Sequence, residues 1–366
     1  MDTNVTGKRV LVAALDWGLG HATRCIPIIR ILLEQHCKVH LAGSGGSGAL
    51  LRREFPELQF HNLPAYNPRY PKGGSMVWRM ALQLPRFMSV IRQEHRILEE
   101  IVRECAIDLV ISDNRYGCWS ANVFSVFITH QSNILMPRRF GWLGPLVRIW
   151  NRKLVCRFDS CWIPDYPGDK NLSGALTNFG QTDFHPNQSY IGALSRFRHR
   201  PEVSRSNDID VLAICSGPEP QRSFLEEILR KQLTGSRYRF VLVRGVLDGL
   251  PDETTERGRI VSFATTDELE ELFARAATVV ARSGYSTVMD LHALGKKAIF
   301  IPTPGQTEQE HLATNLLSKG VAFSMMQSGF DMQTAMHESL RFSGFKPGPA
   351  DDHFLYDVII KHLAPL

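Results

Sequence analysis

Short apolar runs alternate with amphipathic helical patterns along most of the 366-residue chain, and this alternation restricts its fold more than any other feature. Such alternation predicts doubly wound α/β sheets, in which helices cover both faces of parallel strands. The pattern restarts at residues 210–215, so we predict two sheets. The predicted strands are 9–15, 38–42, 58–62, 108–112, 123–129, 160–163, 210–215, 238–244, 260–263, 278–281 and 297–301, and the predicted helices are 24–35, 92–104, 223–232, 267–276 and 286–294.

A polar stretch at residues 197–208 separates the two predicted halves and is the best candidate for a linker. At roughly 150 residues per domain, the chain length also fits two domains. We therefore predict an N-terminal domain over 1–200 and a C-terminal domain over 201–366, with the final helix packing back on the N-terminal domain.

The composition excludes several classes of protein. With 43% hydrophobic and 22% charged residues, the chain is neither disordered nor of low complexity. Its longest apolar stretches are shorter than the roughly 20 residues that span a bilayer, and its N-terminus shows no secretory signal. The seven cysteines include no CxxC pair and no Cys/His metal-ligand spacing. These features predict a reduced, cytoplasmic protein without a metal site.

The net charge of +5 is unevenly divided. Residues 1–200 contain 25 Lys and Arg against 15 Asp and Glu, a net of +10, whereas residues 201–366 contain 17 against 22, a net of −5. A basic half could face nucleic acid, anionic lipid or a phosphorylated substrate. Because no nucleic-acid-binding module is recognisable, we expect no nucleic-acid partner.

The loop after the first strand, DWGLGHATR, contains a Gly-x-Gly turn at Gly18 and Gly20. A dinucleotide-binding turn would need a third glycine, where Thr23 stands, and an acidic residue after the second strand, so a Rossmann dehydrogenase is disfavoured. His21, at a helix start, is placed either to take a proton from an acceptor hydroxyl or to hydrogen-bond within the turn. The helix dipole would lower its pKa and favour the neutral base.

Asp113 follows the predicted strand at 108–112 and lies at the same ligand-binding edge. There it can orient and charge-stabilise His21, as the acidic member of a triad orients its base, or it can form an ordinary Asx turn. Arg115, two residues further on, is predicted on the acceptor side together with Gly18 and Gly20.

Three loops in the C-terminal half combine turn residues with helix starts. Residues 281–291 (ARSGYSTVMDL) end a strand and open a helix, where backbone N–H groups and the helix dipole favour a diphosphate. Residues 215–222 (CSGPEPQR) offer a second such turn, with Arg222 as a phosphate partner. Residues 301–310 (IPTPGQTEQE) supply the polar groups that a hydroxyl-rich sugar needs. Plain capping or a solvated helix start is the alternative interpretation of each loop.

The stretch ARSGYSTVMDLHALGKKAIFIPTPGQTEQEHLA resembles the donor-binding signature of GT-B glycosyltransferases and is similar to the glycosyltransferase family 28 C-terminal domain. That family includes the enzyme that adds N-acetylglucosamine to lipid-linked muramyl-pentapeptide, and the chain is also similar to the UDP-glycosyltransferases. The N-terminal half resembles the family through its Gly-Leu-Gly-His turn and the strand ending in Asp113. The resemblance implies two Rossmann-like domains facing a cleft, with a nucleotide-sugar donor, usually UDP-linked, on the C-terminal domain and an acceptor on the N-terminal one.

The resemblance also implies roles for individual residues. His21 corresponds to the proposed base, Asp113 to the aspartate paired with it, and Asp290 to the acid that holds the ribose. The implied chemistry is an inverting hexosyl transfer without metal or cofactor. The chain departs from the family at Leu312, where Asn is common. The residues predicted around the donor are Ser216, Gly217, Arg222, Phe263, Ser283, Gly284, Tyr285, Ser286, Thr287, Asp290, Glu308 and Gln309.

Two basic stretches bear on the acceptor. Residues 66–96 contain six Lys or Arg and one acid, and residues 138–157 contain six and none, interleaved with Trp, Leu and Phe. This pattern is typical of a helix on anionic lipid, or of a solvated face over ordinary core. On the first interpretation the protein is peripheral on the inner face of the membrane and its acceptor is lipid-linked. Two other functions stay open: a UDP-sugar 2-epimerase-like isomerase of the same fold, and a non-catalytic nucleotide-sugar-binding protein.

Overall fold

The computed structural model describes residues 5–67, 76–136, 138–177, 184–197, 207–246, 251–347 and 353–363 of the chain. The chain divides into two compact units, unit 1 formed by Met1–Ser195 with Asp351–Leu366 and unit 2 by Arg196–Ala350. Within the described ranges, no helix is long and apolar enough to cross a membrane.

Strands and helices alternate through both units. The strands are β1 Arg9–Ala14, β2 Lys38–Gly43, β3 Gln59–Asn62, β4 Leu109–Asp113, β5 Phe124–Ile128, β6 Ser160–Ile163, β7 Gln188–Tyr190, β8 Ile209–Ile214, β9 Phe240–Val243, β10 Glu253–Thr254, β11 Gly258–Val261, β12 Ala276–Ala281, β13 Ala298–Phe300 and β14 Phe323–Ser324. The helices are α1 Leu19–Glu34, α2 Gly45–Glu54, α3 Met76–Cys105, α4 Gly144–Val155, α5 Gln221–Thr234, α6 Thr266–Arg275, α7 Tyr285–Leu294, α8 Thr307–Ser318, α9 Met332–Ser339 and α10 His353–Leu363. Short 3₁₀ helices span Arg138–Leu143, Gly168–Lys170, Gly174–Leu176 and Gln327–Gly329.

The strands of unit 1 form one parallel sheet in the order β3-β2-β1-β4-β5-β6-β7. Strand β4 is buried at every residue and β1 at every residue after Arg9, as expected for central strands with covered faces. The strand order reverses between β1 and β4, and Ala14 pairs with Asp113 at their carboxyl ends. Loops leaving neighbouring strands at such a switch point form the ligand-binding crevice of open α/β sheets.

Unit 2 repeats this design with the strand order β10-β11-β9-β8-β12-β13-β14, parallel except for the β10–β11 pair. Helix α5 packs Leu225, Leu229 and Leu233, which are one helical turn apart, onto the apolar sheet. The switch point lies between β8 and β12, where Ile214 pairs with Ala281. The loops that follow these two strands therefore leave the sheet side by side.

The two doubly wound sheets predicted from the sequence are confirmed, and each predicted strand is present within a few residues of its expected bounds. Helix α1 begins at Leu19, five residues before the predicted start at 24, because the turn is confined to its N-cap, Gly18, at φ 93°. The sequence does not predict α2, since its GGSG start is typical of a loop, yet the helix forms and buries Leu50 and Leu51. Tertiary packing overrides local propensity there. Helix α9 and strands β7, β10 and β14 are likewise not predicted.

Helix α10 belongs to unit 1 although it ends the chain. The ring of His362 packs against Phe124 and Trp162, and its centroid lies 5.3 and 5.7 Å from theirs.

Residues 198–206 of the predicted linker lie outside the described residues.

Candidate active site

The structure brings His21 and Asp113 into direct contact at the switch point of unit 1. The Nδ1 atom of His21 lies 2.9 Å from Oδ1 of Asp113. His21 occupies the first turn of α1 with its side chain 16% exposed, whereas the Asp113 carboxylate, at the end of β4, is fully buried. The imidazole can therefore meet a ligand while the carboxylate behind it cannot.

Arg24 and His130 complete this cluster, although the sequence pattern did not single them out. Arg24 is buried; its Nε donates to Asp113 Oδ2 at 3.0 Å and its Nη2 to Oδ1 at 2.6 Å. Its Nη1 lies 2.5 Å from Nδ1 of His130, which follows β5. One signal was available, because Arg24 stands three positions after His21 and so lies on the same face of a helix.

Burial and charge fix the protonation of the cluster. Burial alone would raise the pKa of Asp113, but the Arg24 guanidinium and His21 outweigh it and hold that pKa at about 2. Burial lowers the pKa of His21 below its ordinary 6.5, and Arg24 lowers it further against the opposing effect of Asp113. At pH 7 the site therefore combines a neutral imidazole with an ionised carboxylate. The direction predicted for His21 is confirmed, with burial as its main cause.

The position of Nδ1 determines what His21 can do. When Nδ1–H donates to Asp113, Nε2 keeps its lone pair and can accept a proton from a ligand. Nη2 of Arg24 also lies 2.7 Å from Nδ1, and a bond donated by Arg24 there would instead place the proton on Nε2. The ionised carboxylate favours the first tautomer because it can only accept.

The structure places the side chain of Arg115, predicted on the acceptor side, inside the protein. Its side chain is fully buried, and its Nε donates to the Ala14 carbonyl at 2.7 Å, Nη1 to Glu94 Oε1 at 2.6 Å and Nη2 to Ser44 Oγ at 2.6 Å. Its ion pair with the equally buried Glu94 joins the loop after β4 to α3, and its other two bonds join that loop to β1 and to the N-cap of α2. A guanidinium held in this way supports the loop and does not reach a ligand.

In the glycine turn beside His21, side-chain hydroxyls donate hydrogen bonds to the backbone carbonyls. Gly18 caps α1 and its carbonyl accepts from Ser47 Oγ at 2.7 Å, while the Gly20 carbonyl accepts from Thr23 Oγ1 at 2.9 Å. In the same loop, the indole Nε1 of Trp17 is buried and, among the described atoms, has no hydrogen-bond partner. This donor is a second feature of the loop after β1 that the sequence did not single out.

In unit 2, the start of α7 follows β12 directly. Its N-cap, Gly284, has no side chain that could bond the N–H groups of the first turn. The side chains of Ser283 and Tyr285 are buried, and the Ser283 hydroxyl donates to the Gln309 carbonyl at 2.8 Å. The contact of these two residues with a donor stays a prediction, and with their side chains buried it would be made by their backbone groups. The partly exposed members of this stretch are Gly284, Ser286 and Thr287.

Arg282 immediately precedes this turn and is fully buried. Its Nη1 donates to the carbonyls of Ile301 and Pro302, and its Nη2 donates to the Gln221 carbonyl and to Gln327 Oε1. None of these described partners is a carboxylate, and burial lowers the pKa of Arg282 to about 10. The guanidinium thus carries a buried positive charge that none of these partners neutralises, on a residue that directly precedes the turn opening α7.

The phosphate-binding role of Arg222 stays a prediction, and two carboxylates already pair with its guanidinium. Its Nε lies 2.5 Å from Glu219 Oε1 and its Nη1 lies 2.6 Å from Glu226 Oε2. Its Nη2 donates to Ser223 Oγ at 2.8 Å. Two carboxylates neutralise this guanidinium, so it offers little charge to a phosphate.

The loop after β13 is joined to α8 through Gln309. The Gln309 Oε1 atom accepts from the Thr303 backbone N–H at 2.8 Å, and Leu312 is fully buried. Asp290, on α7, is 8% exposed, and its Oδ2 lies 4.0 Å from Nε of Arg196. The side-chain amide oxygen of Gln309 is therefore occupied by a hydrogen bond within the protein, and Leu312 packs in the core.

The turn after β8 approaches Thr303. Gly217 has φ +107°, and a Cβ added there would lie 3.8 Å from Thr303 Oγ1. The Thr303 hydroxyl is buried and has no hydrogen-bond partner among the described atoms. Ser216 and Phe263 are partly exposed on the loops that follow their strands, and Glu308 is partly exposed in the first turn of α8.

Known proteins match both the sequence and the fold. The glycosyltransferase family 28 C-terminal domain matches residues 223–341. The UDP-N-acetylglucosamine--N-acetylmuramyl-(pentapeptide) pyrophosphoryl-undecaprenol N-acetylglucosamine transferase of Actinobacillus pleuropneumoniae serotype 3 (strain JL03) is 30% identical over 344 residues, 90% of this chain and 88% of its own. An uncharacterized glycosyltransferase of Methanosarcina acetivorans is 25% identical over 334 residues, 85% and 82% of the two chains. Spinosyn rhamnosyltransferase SpnG complexed with thymidine diphosphate shares the fold, with a TM-score of 0.58 at 14% identity over 98% of both chains.

The opposing charges around His21 predict opposite effects of two substitutions. Arg24→Gln should raise the pKa of His21, because it removes a positive charge that disfavours the imidazolium, and Asp113→Asn should lower it, because it removes the carboxylate that favours the imidazolium. The measurement is an NMR titration of isotope-labelled histidine in each folded variant. His362, which packs against Phe124 and Trp162, is the internal control and should titrate as in the wild type. Shifts of the same sign in both variants would contradict this account.

Proposed function

The chain belongs to the family 28 glycosyltransferases of the GT-B fold, and on this premise we propose that it moves a sugar from a nucleoside-diphosphate donor to an acceptor hydroxyl, with inversion at the anomeric carbon. The observation that carries the proposal is the contact of His21 with Asp113, backed by Arg24. This cluster offers a neutral, partly exposed imidazole beside a carboxylate that stays ionised. Such a pair is suited to general base catalysis.

In the proposed reaction, Nε2 of His21 takes the proton of the acceptor hydroxyl as its oxygen attacks the anomeric carbon. The bond between that carbon and the diphosphate oxygen breaks, and its electron pair leaves with the nucleoside diphosphate. Asp113 stabilises the imidazolium that forms, since its negative charge lies 2.9 Å away. Positive groups near the leaving group would stabilise the charge that develops on it.

The donor is proposed to bind unit 2 through its diphosphate. The uncapped start of α7 and the buried Arg282 charge both favour an anion at this turn. Asp290 is proposed to hold the ribose, and Glu308 to contact the sugar. The name of the Actinobacillus relative specifies a UDP-linked donor, which supports UDP here, and the thymidine diphosphate bound to SpnG supports a nucleoside diphosphate in general. We propose that the transfer needs no metal ion and that the sugar is a hexose.

The acceptor is proposed to be lipid-linked, as the name of the Actinobacillus relative specifies for that enzyme. Helix α4 supports this, because Leu146, Ile149 and Trp150 are 61%, 66% and 40% exposed on one face, and Trp142 just before it is 73% exposed. Residues 138–157 contain six basic side chains and no acid. Exposed apolar residues flanked by basic ones are typical of a helix that lies on an anionic membrane, so we propose peripheral association through α4.

A thermal-shift screen tests the donor proposal. UDP should stabilise the protein more than TDP, GDP or CMP, with or without magnesium, and a ligand at 100 times its dissociation constant adds about 2.7 kcal/mol. Asp290→Asn should reduce the UDP shift because it removes the carboxylate proposed to hold the ribose. Asp267→Asn, on the exposed first turn of α6, is the matched control. A shift that requires magnesium, or no shift with any nucleotide, would contradict the proposed donor site.

Transfer itself is tested by replacing the base. His21→Ala should lower the rate of transfer to a polyprenyl-pyrophosphoryl acceptor by about 10²- to 10⁴-fold while UDP binding is kept, because unit 2 binds the donor. The measurement is acceptor-dependent release of UDP. His337→Ala, at an exposed position of unit 2, is the control and should be fully active. A fully active His21→Ala would exclude His21 as the base, and donor turnover without acceptor would favour the isomerase.

Vesicle flotation tests the membrane proposal. The double variant Leu146→Ser, Ile149→Ser should bind phosphatidylglycerol vesicles less than the wild type at low salt, because it removes exposed apolar surface from α4. Leu340→Ser, which changes an equally exposed leucine of unit 2, is the control. Equal flotation of neutral and anionic vesicles, or no loss in the double variant, would refute docking through α4.

A further inference from the structure

A cluster of two histidines and one cysteine lies on one face of the unit 1 sheet near its β3 edge. His40 is on β2, His61 is on β3 and Cys105 is the last residue of α3. Because His40 pairs with Gln59, His61 stands two residues further along the neighbouring strand and points to the same face. All three side chains are partly exposed, so a solute can reach them.

The spacing of their ligating atoms fits a transition-metal ion. The His40 Nδ1, His61 Nε2 and Cys105 Sγ atoms all lie within 4.8 Å of one another. His61 Nε2 is 3.2 Å from His40 Nδ1 and 3.9 Å from Cys105 Sγ. A tetrahedral zinc site with Zn–N of about 2.05 Å and Zn–S of about 2.3 Å has N···N and N···S edges of about 3.3 and 3.6 Å.

We propose that His40, His61 and Cys105 bind one zinc ion, with Cys105 as the thiolate. One thiolate with two imidazoles is a ligand set that suits Zn²⁺. Water or the Glu104 carboxylate, which acts electrostatically on His61, completes the tetrahedron. The ion would fasten the edge strand β3 and its neighbour β2 to the end of α3.

This site is separate from the cluster at His21. His40 and Val110 both pair with Leu11, so His40 is level with a residue three positions before Asp113. At about 3.3 Å per residue, the two sites are offset by about 10 Å along the strands. The metal therefore has a structural role and takes no part in the proposed transfer.

The competing explanation is a hydrogen bond between the two imidazoles. Their rings are nearly parallel, at 18°, with centroids 5.5 Å apart, and one ring nitrogen can donate to the other. Metal binding replaces the shared proton and requires the rings to turn until both nitrogens face the ion. Cys105 separates the two explanations, because a hydrogen-bonded histidine pair has no need of its thiolate.

Titration of the tag-free full-length protein with Co²⁺, as a spectroscopic substitute for Zn²⁺, tests the proposal. The wild type should bind one equivalent and show a thiolate-to-cobalt charge-transfer band together with the visible bands of a tetrahedral ion. Added Zn²⁺ should abolish both. Cys105→Ser should abolish the charge-transfer band, and His61→Asn should weaken binding by more than the roughly 10- to 100-fold that loss of an outer-shell partner costs.

Cys156→Ser is the matched control, since Cys156 is an exposed free cysteine elsewhere in unit 1 and its loss should change neither the band nor the affinity. Circular dichroism checks that every variant is folded. A band that survives Cys105→Ser, or the absence of any stoichiometric binding, would overturn the proposal and leave a hydrogen-bonded histidine pair.

Discussion

The buried carboxylate of Asp113 is the constraint on which the carboxyl edge of unit 1 depends. An isolated buried charge is very costly, and this one is neutralised by two hydrogen bonds from Arg24. That pairing helps to keep the pKa of Asp113 at about 2, so at neutral pH the carboxylate is ionised and can accept a hydrogen bond from Nδ1–H of His21. The orientation of the imidazole therefore follows from this buried charge pair, while its neutral state follows mainly from burial.

In unit 2, the buried charge of Arg282 is not paired with a carboxylate among its described partners. Arg282 is bonded to carbonyl oxygens and to one amide oxygen, and none of these described partners brings a negative charge. An anionic ligand at the neighbouring start of α7 would supply it, which is how the proposed donor site gains affinity for a diphosphate. Arg222, by contrast, is already neutralised by Glu219 and Glu226. Arg222 and Arg282 therefore differ in whether carboxylates already pair with the guanidinium.

Much of the fold could be predicted because apolar runs at strand length depend only on local sequence. The meeting of His21 with Asp113 was a hypothesis from the same pattern, since residues that follow neighbouring parallel strands share one edge. The sequence could not show that the side chains of Arg115, Arg222 and Ser283 bond to other parts of the protein, because a position at that edge does not tell whether a side chain points outward or into the protein. Partners from distant segments decide that.

The sequence by itself determined the two doubly wound sheets and the family, and it predicted the edge at which their ligands would bind. The tertiary structure alone decided which side chains are free to act there. It paired Arg24 with Asp113, buried Arg115 against Glu94, and gathered His40, His61 and Cys105, whose ligating atoms come from three separate elements. The physical reason is that burial, charge pairing and ligand geometry are properties of three-dimensional neighbours, which no spacing along one chain can specify.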